Sequence, residues 1–266
     1  MLVGFKTELN PNNKQATSFS KHSGVARHAC QIGLNAVKAI LDHNKENQTN
    51  KLLLPTAVDL HKWLVSSVKP DLFWYNEVSK CTPQEALRNL MLAFKDFFKG
   101  KKIRGKRVGF PQFKKKGRHD SFYLDGSIQC DHFAIKLPRI GWIRTYEKPP
   151  YGYKPKNVTI SRKADRWFVS FQVEVTENRT VKIRNVIGVD LGIKTLATCS
   201  DGTQFSGIKP YRTLEKTRMQ YLLRKKVLHS NNYKKAKLKI AKLYLKISNL
   251  RKDSINKITT LRRSLP

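Results

Sequence analysis

From Lys209 to Arg263 the sequence carries eighteen lysines and arginines against two acids, Glu215 and Asp253, a net charge of +16. Such a segment can fold only by leaving most of its side chains in water, because unpaired cations are rarely buried. Among its apolar residues, Ile240, Leu243, Ile247, Leu250, Ile258 and Leu261, with Ser254 in line, recur at spacings of three and four residues. They trace one narrow seam along a helix. His229-Ser-Asn-Asn-Tyr233 breaks the pattern. The spacing predicts a long helical hairpin over 211–265, packed along one stripe and basic elsewhere.

The imbalance extends to the whole chain: 53 basic against 19 acidic residues, formally +34, with a pI near 10.3. Self-repulsion on that scale opposes compaction unless a polyanion neutralises it. Nucleic acid is the polyanion such a footprint fits best, although ribosomal-type and membrane-surface proteins share it. A hydrophobic content of 39% with 13 Phe argues for a packed core rather than a disordered basic tail. No apolar run reaches the roughly 18 residues of a membrane span, and the first residues lack the pattern of a secretory signal. Cys30, Cys81, Cys130 and Cys199 are far apart with no CxxC pair. Reduced thiols and no zinc site are expected. Cys130-Asp-His132 offers too few donors for a site.

Residues 2–9 alternate and predict an edge strand. A mostly helical stretch is expected from Lys21 to Lys99, with nine basic and six acidic residues between Lys21 and Arg88. Its clearest helix starts at Thr82-Pro-Gln-Glu85, whose residue types match a capping box, and ends at Gly100. Residues 128–176 alternate as β, with Lys163-Ala-Asp165 turning the last hairpin. A second β unit follows: Asn185 to Asp190, then Thr195 to Cys199, then a turn at Ser200-Asp-Gly202 into a third short strand.

Lys95 to Arg118 differs from its surroundings, with eleven basic residues, one acid and interleaved phenylalanines. Phenylalanine stacks on unpaired bases while lysine and arginine hold phosphates. One contact stretch is therefore expected at Arg104, Lys106, Arg107, Phe110, Phe113, Lys114, Lys115, Lys116 and Arg118. A second is expected at Arg212, Arg218, Arg224, Lys225, Lys226, Lys234 and Lys235.

The segment Val186-Ile-Gly-Val-Asp190-Leu-Gly192-Ile-Lys-Thr195 predicts a buried strand ending in one carboxylate. RNase-H-like nucleases open in this way, and their first-strand Asp ligates a metal in a two-ion phosphodiesterase site. Oxygen ligands of this kind suit Mg²⁺. Two other readings are open. Asp190 starts an Asx-type turn before Gly192, or the segment is the phosphate-binding opening of an actin-like ATPase. Only 76 residues follow Asp190, without a second Gly-rich loop, which disfavours the ATPase.

Five ordered motifs carry a family resemblance. Phe94-Lys-Asp-Phe-Phe98-Lys-Gly-Lys resembles "AFxxFFxGK", and Gly109-Phe-Pro-Gln-Phe-Lys-Lys-Lys116 is similar to "GFPxFKxK". Ile135-Lys-Leu-Pro-Arg-Ile-Gly-Trp-Ile-Arg144 resembles "IxLPKxGWIR". Val186 to Thr198 is similar to a first RuvC segment, and Asn249 to Lys257 resembles "NxRxDxxHK". All five belong, in this order, to the TnpB/OrfB family of insertion-sequence proteins, whose complete members are RNA-guided DNA nucleases. The resemblance implies an α+β chain: an N-terminal β-barrel (1–20 and 106–182), interrupted by a helical recognition lobe (21–105) and followed by a partial RuvC-like domain (183–266). It also implies Asp190 as a catalytic Mg²⁺ ligand, guide RNA and DNA as partners, and a prokaryotic cytoplasmic, nucleoid-associated setting.

The family's later catalytic Glu and Asp and its zinc ribbon have no counterpart before Pro266, so a truncated chain is expected. Only Asp201, Glu215 and Asp253 follow Asp190 as acids. The expected function is nucleic-acid binding without cleavage by this chain alone. The alternatives are a Mg²⁺-dependent nuclease completed by a missing segment or partner, and a non-enzymatic basic RNA-binding protein.

Overall fold

The computed structural model describes residues 2–103, 105–150, 152–175, 187–192, 194–207 and 213–264, in two compact units divided between Thr176 and Glu177. The chain is mixed α and β, dominated by a large antiparallel sheet.

The first unit is organised by strand β1 (Leu2–Asn10) and the long helix α1 (Asn13–Glu46). Asn12 caps α1: its side chain accepts from Gln15 N–H while the Gln15 side chain accepts from Asn12 N–H, at 2.9 and 3.0 Å. Phe19, His22, Ala26, Ala29, Cys30, Gly33 and Val37 recur at spacings of three and four and form the buried face of α1. Helix α2 (Ala57–Trp63), capped by a Thr56–Asp59 box, runs into one wider π-type turn at Leu64–Val68. A short 3₁₀ turn at Phe73–Glu77 then leads to α3 (Cys81–Phe98). Helices α1 and α3 cross closely at Gly33, where an added Cβ would stand 2.6 Å from Leu87 Cδ2.

Beyond α3 come a two-stranded hairpin, β2 (Lys102–Ile103) and β3 (Lys106–Arg107), and then β4 (Ser121–Leu124), β5 (Gln129–Asp131), β6 (Ala134–Leu137), β7 (Gly141–Thr145), β8 (Lys156–Lys163) and β9 (Arg166–Glu174). Seven strands form one antiparallel sheet in the order β4-β8-β9-β1-β7-β6-β5. Alternate residues of β9, namely Trp167, Val169, Phe171 and Val173, are buried, as expected of a sheet covered on one face. Phe19 of α1 packs at 5.1 Å, edge-on, against Trp167 and at 5.8 Å against Phe122 of β4. Helices and sheet thereby share one hydrophobic core.

Three expectations change. The sheet is not a closed barrel, because its marginal strands β4 and β5 follow one another in sequence yet do not pair. Strand β1 is interior rather than edge: it pairs with β9 from Leu2 to Leu9 and with β7 at Leu9 and Asn10. Thr82 is not a cap. It lies inside α3, buried, and its hydroxyl donates to Tyr123 O of β4 at 3.1 Å. A residue suited to capping was instead recruited to fasten helix to sheet.

The second unit contains the three-stranded antiparallel sheet of β10 (Val189–Asp190), β11 (Thr195–Cys199) and β12 (Gln204–Ser206), then helices α4 (Thr213–Arg224) and α5 (Asn231–Ser264). Ile240, Leu243 and Ile247 of the anticipated seam are buried, whereas Leu250 is exposed. No described helix is long and apolar enough to cross a membrane.

Candidate nucleic-acid interface

The first basic stretch begins where α3 ends. Gly100 adopts φ +61 and its N–H closes on Phe97 O at 3.0 Å, stopping the helix. Gly105, at φ +77, turns the β2–β3 hairpin, which carries Lys106 and Arg107 outward. Residues 108–120 have no regular secondary structure, yet their backbone is tied down. Gln31 of α1 donates to Lys114 O at 3.0 Å, and Asp120, at the C-terminal end of the loop, braces it by accepting from Gly117 N–H at 3.1 Å. The same Asp120 oxygen accepts from Arg27 of α1 at 3.3 Å, with both side chains largely out of solvent. Asp120 O also accepts from Arg162 N–H at 2.8 Å. Lys114, Lys115, Lys116 and Arg118 all project into solvent from this braced loop.

The two anticipated aromatic contacts in this stretch are placed differently. Phe113 is 48% exposed. Phe110 packs edge-on against Phe94 and Phe97, at 5.4 Å from each, and belongs to the rim of the core. Arg104 lies outside the described residues. Asp120→Ala removes both the ion pair and the Gly117 brace, and an ion pair mostly out of water leaves a costly unpaired partner. The expected loss is about 1–3 kcal/mol in urea unfolding, accompanied by faster amide exchange at residues 114–118. Unchanged exchange there would show that the loop is held by something else.

The second stretch lies on α4 and α5. Arg218, Arg224, Lys225, Lys226, Lys234 and Lys235 are all exposed; Arg212 lies outside the described residues. The helices are joined by Gln220 Nε2 donating to Tyr244 OH at 2.9 Å, with Lys216 Nζ 4.8 Å from the Tyr244 ring centroid. Lys225 stands 4.5 Å from the centre of the Tyr221 ring. Ser230 Oγ accepts from Tyr233 N–H at 3.1 Å and caps α5.

Asp190 ends β10, opposite Thr198 of β11. Gly192 is needed beyond it, because a Cβ there would meet Thr195 O at 2.9 Å. The strand is not buried, contrary to expectation: Ile187, Val189, Asp190 and Leu191 are exposed, Leu191 to 76%. The reason lies in topology. Strand β10 is the margin of its small sheet, and among the described residues its outer edge pairs with no strand.

The other acids of this unit are engaged elsewhere or stand apart. Asp201 accepts from Thr203 N–H at 3.0 Å in a turn, and Asp253 pairs with Lys257 at 2.8 Å along α5. Glu215 sits exposed in the first turn of α4, where its charge suits the helix dipole. Among the described residues, no three His, Cys, Asp or Glu side chains gather as metal ligands. The Cys130 thiol is pushed up to about 11 by burial, which disfavours the thiolate that a metal needs. The described donors therefore do not fit a two-ion centre.

Comparison with known proteins finds similarity to transposon-associated proteins. A family model described as "Probable transposase" (OrfB_IS605) matches residues 170–261. The chain is 31% identical over 265 residues to the Escherichia coli protein named "Putative RNA-guided DNA endonuclease InsQ", covering 97% of this chain and 63% of that one. A Streptomyces pristinaespiralis protein of the same designation is 29% identical over 271 residues, and a Mycobacterium tuberculosis one 25% over 288. They are covered to 63% and 62% of their lengths, so the chain spans somewhat under two-thirds of these relatives. The matches run through the motif regions described above, and in them the chain is similar over nearly its whole length to the TnpB/OrfB family of transposon-associated proteins.

Proposed function

We propose that this chain binds a structured RNA and DNA through its two basic stretches, as a relative of RNA-guided DNA endonucleases, and that residues 1–266 do not cut DNA by themselves. In this reading residues 1–20 and 106–182 act as a wedge-like β domain, 21–105 as a helical recognition lobe and 183–266 as part of a RuvC-like domain. Asp190 then occupies the position of the first metal-binding carboxylate. The observation that carries the reading is the loop 114–118: four cations presented to solvent on a backbone braced from α1 by Gln31 and, through Asp120, by Arg27. A solvated basic run needs no such bracing. The acids support the second half of the reading, since two-metal phosphodiesterases need several converging carboxylates and Asp201, Glu215 and Asp253 are held elsewhere or apart.

The test is to purify residues 1–266 and sequence the RNA that accompanies them. One dominant structured species, resistant to competition by heparin, is expected; a random collection that heparin displaces would point to a general basic RNA-binding protein. Mg²⁺-dependent cleavage of DNA that disappears in Asp190→Ala would overturn the second half of the proposal.

The outer edge of β10, unpaired among the described residues and with Ile187, Val189 and Leu191 exposed, favours a second reading in which a further strand completes the sheet and the metal site. Cleavage that appears only when the chain is co-expressed with a segment carrying the remaining acids would select it.

A further inference from the structure

The open seam of the seven-stranded sheet leaves a cleft of about 1230 Å³ between the β4–β5 connection and the segment leading into β8. Its two walls differ in chemistry. Residues 125–131 contribute the carboxylates Asp125 and Asp131, and residues 152–157 contribute Tyr153, Lys154 and Lys156. Trp142 of β7 lines the same cleft and is 47% exposed, with Lys136 Nζ 6.0 Å from its ring centroid. Gln15 at the start of α1 donates to Trp142 O at 2.8 Å, so the backbone beneath that ring is fixed. Asp131 uses one oxygen on its neighbour His132 N–H at 2.7 Å, and Lys156 is paired with Glu174.

This lining differs from the two basic stretches. In a chain of formal charge +34, two acids and two lysines balance across one cleft that also exposes an indole. A surface for duplex phosphates alone would gain nothing from the acids, which repel them. Carboxylates instead accept from the amine and imine N–H groups on base edges, aromatic rings stack on base faces, and lysine meets phosphate.

We propose that the cleft holds one unpaired nucleotide whose base carries an exocyclic amine, guanine fitting best because its adjacent N1–H and N2–H can both donate to one carboxylate. The base stacks on Trp142, its amine edge faces Asp125 and Asp131, and its phosphate meets Lys154. Uracil and thymine lack the amine and bind less well. The inference is independent of the two basic stretches.

The full chain is titrated against a fluorescein-labelled uridine octamer, the same octamer with one central guanosine, and one with a central 2-aminopurine, whose emission falls on stacking. Wild type is expected to prefer the guanosine octamer about tenfold and to quench 2-aminopurine. Trp142→Ala should abolish the quench and the preference, Trp142→Phe should restore most of both, and Asp131→Asn should remove the preference while keeping the quench. Guanosine monophosphate competing at the same concentration as the octamer identifies a free nucleotide as the occupant, and competition only by the octamer identifies a strand. Equal quench in wild type and Trp142→Ala, with unchanged circular dichroism, overturns the proposal. Loss of salt-dependent binding to structured RNA would instead count against the basic stretches, so the two failures are separable.

Discussion

His22→Ala is expected to destabilise the first unit by about 3–5 kcal/mol, the range for emptying a large buried ring site. The imidazole is 0% exposed, 4.9 Å from the Phe122 ring. Its Nδ1–H donates to Ser18 O at 2.9 Å, and its Nε2 accepts from Ser79 N–H at 3.1 Å. The ring therefore sits as one neutral tautomer joining α1 to the turn before α3. Alanine leaves a void and an unanswered Ser79 N–H, and each adds to the cost.

The same burial gives His22 a signature in pH. Desolvation lowers its pKa below the ordinary 6.5, partly offset by the Ser18 bond and reinforced by Arg139. The unfolded chain then takes up a proton at higher pH than the folded one. Stability from the neutral ring is complete above about pH 6.5 and falls as pH drops from there toward the folded value, by at most ~1.4 kcal/mol per pH unit for one proton. Urea midpoints at pH 7.5, 6 and 5 should fall more steeply for wild type than for His22→Gln. Parallel curves would mean that the ring is already charged, or accessible, in the folded protein.

Replacing Lys114, Lys115, Lys116 and Arg118 together by alanine is expected to change binding more than any single substitution. Each phosphate contact on duplex DNA contributes about 0.9 to the slope of log affinity against log salt, and about 0.7 on single strands. If all four residues touch phosphate, the slope should fall by roughly 3 to 4 on duplex, with affinity at 50 mM salt reduced far more than at 200 mM. Phe113→Ala should behave differently. Stacking is worth about 1–3 kcal/mol per base and is insensitive to salt, so the loss should appear with single strands, be small on duplex, and leave the slope in place. A quadruple variant with the wild-type slope would remove this loop from the interface.

The parts of the fold that were legible in the sequence are those set by local spacing. The β8–β9 hairpin alternates strictly, and Ala164 at φ +56 turns it where Lys163-Ala-Asp165 was expected to. The α4–α5 break falls at 225–230, close to the predicted His229–Tyr233, because the basic helix has only one stripe to bury. What was hidden depends on distant partners. The pattern of residues 2–9 is the same for an edge strand as for an inner one, and only pairing with β9 and β7 decides. Thr82 has a capping residue's chemistry and a tertiary partner's role. Phe110 and Phe113 are three residues apart on one basic stretch, and contact with Phe94 and Phe97 alone separates a packed ring from an exposed one. Asp190 was identified as a strand terminus by local spacing, but its exposure depends on what lies beside β10, which local spacing does not encode.

The interior position of β1 carries a consequence for synthesis. Leu2 finds its partner at Glu174, and Leu9 finds Thr145 and Trp167. A ribosome must therefore make nearly the entire first unit before its opening strand can be enclosed, since closing such distant pairings is slow and late. By then the lysines of residues 114–116 have already left the exit tunnel, and the nascent chain meets surrounding RNA while its sheet is still missing its middle.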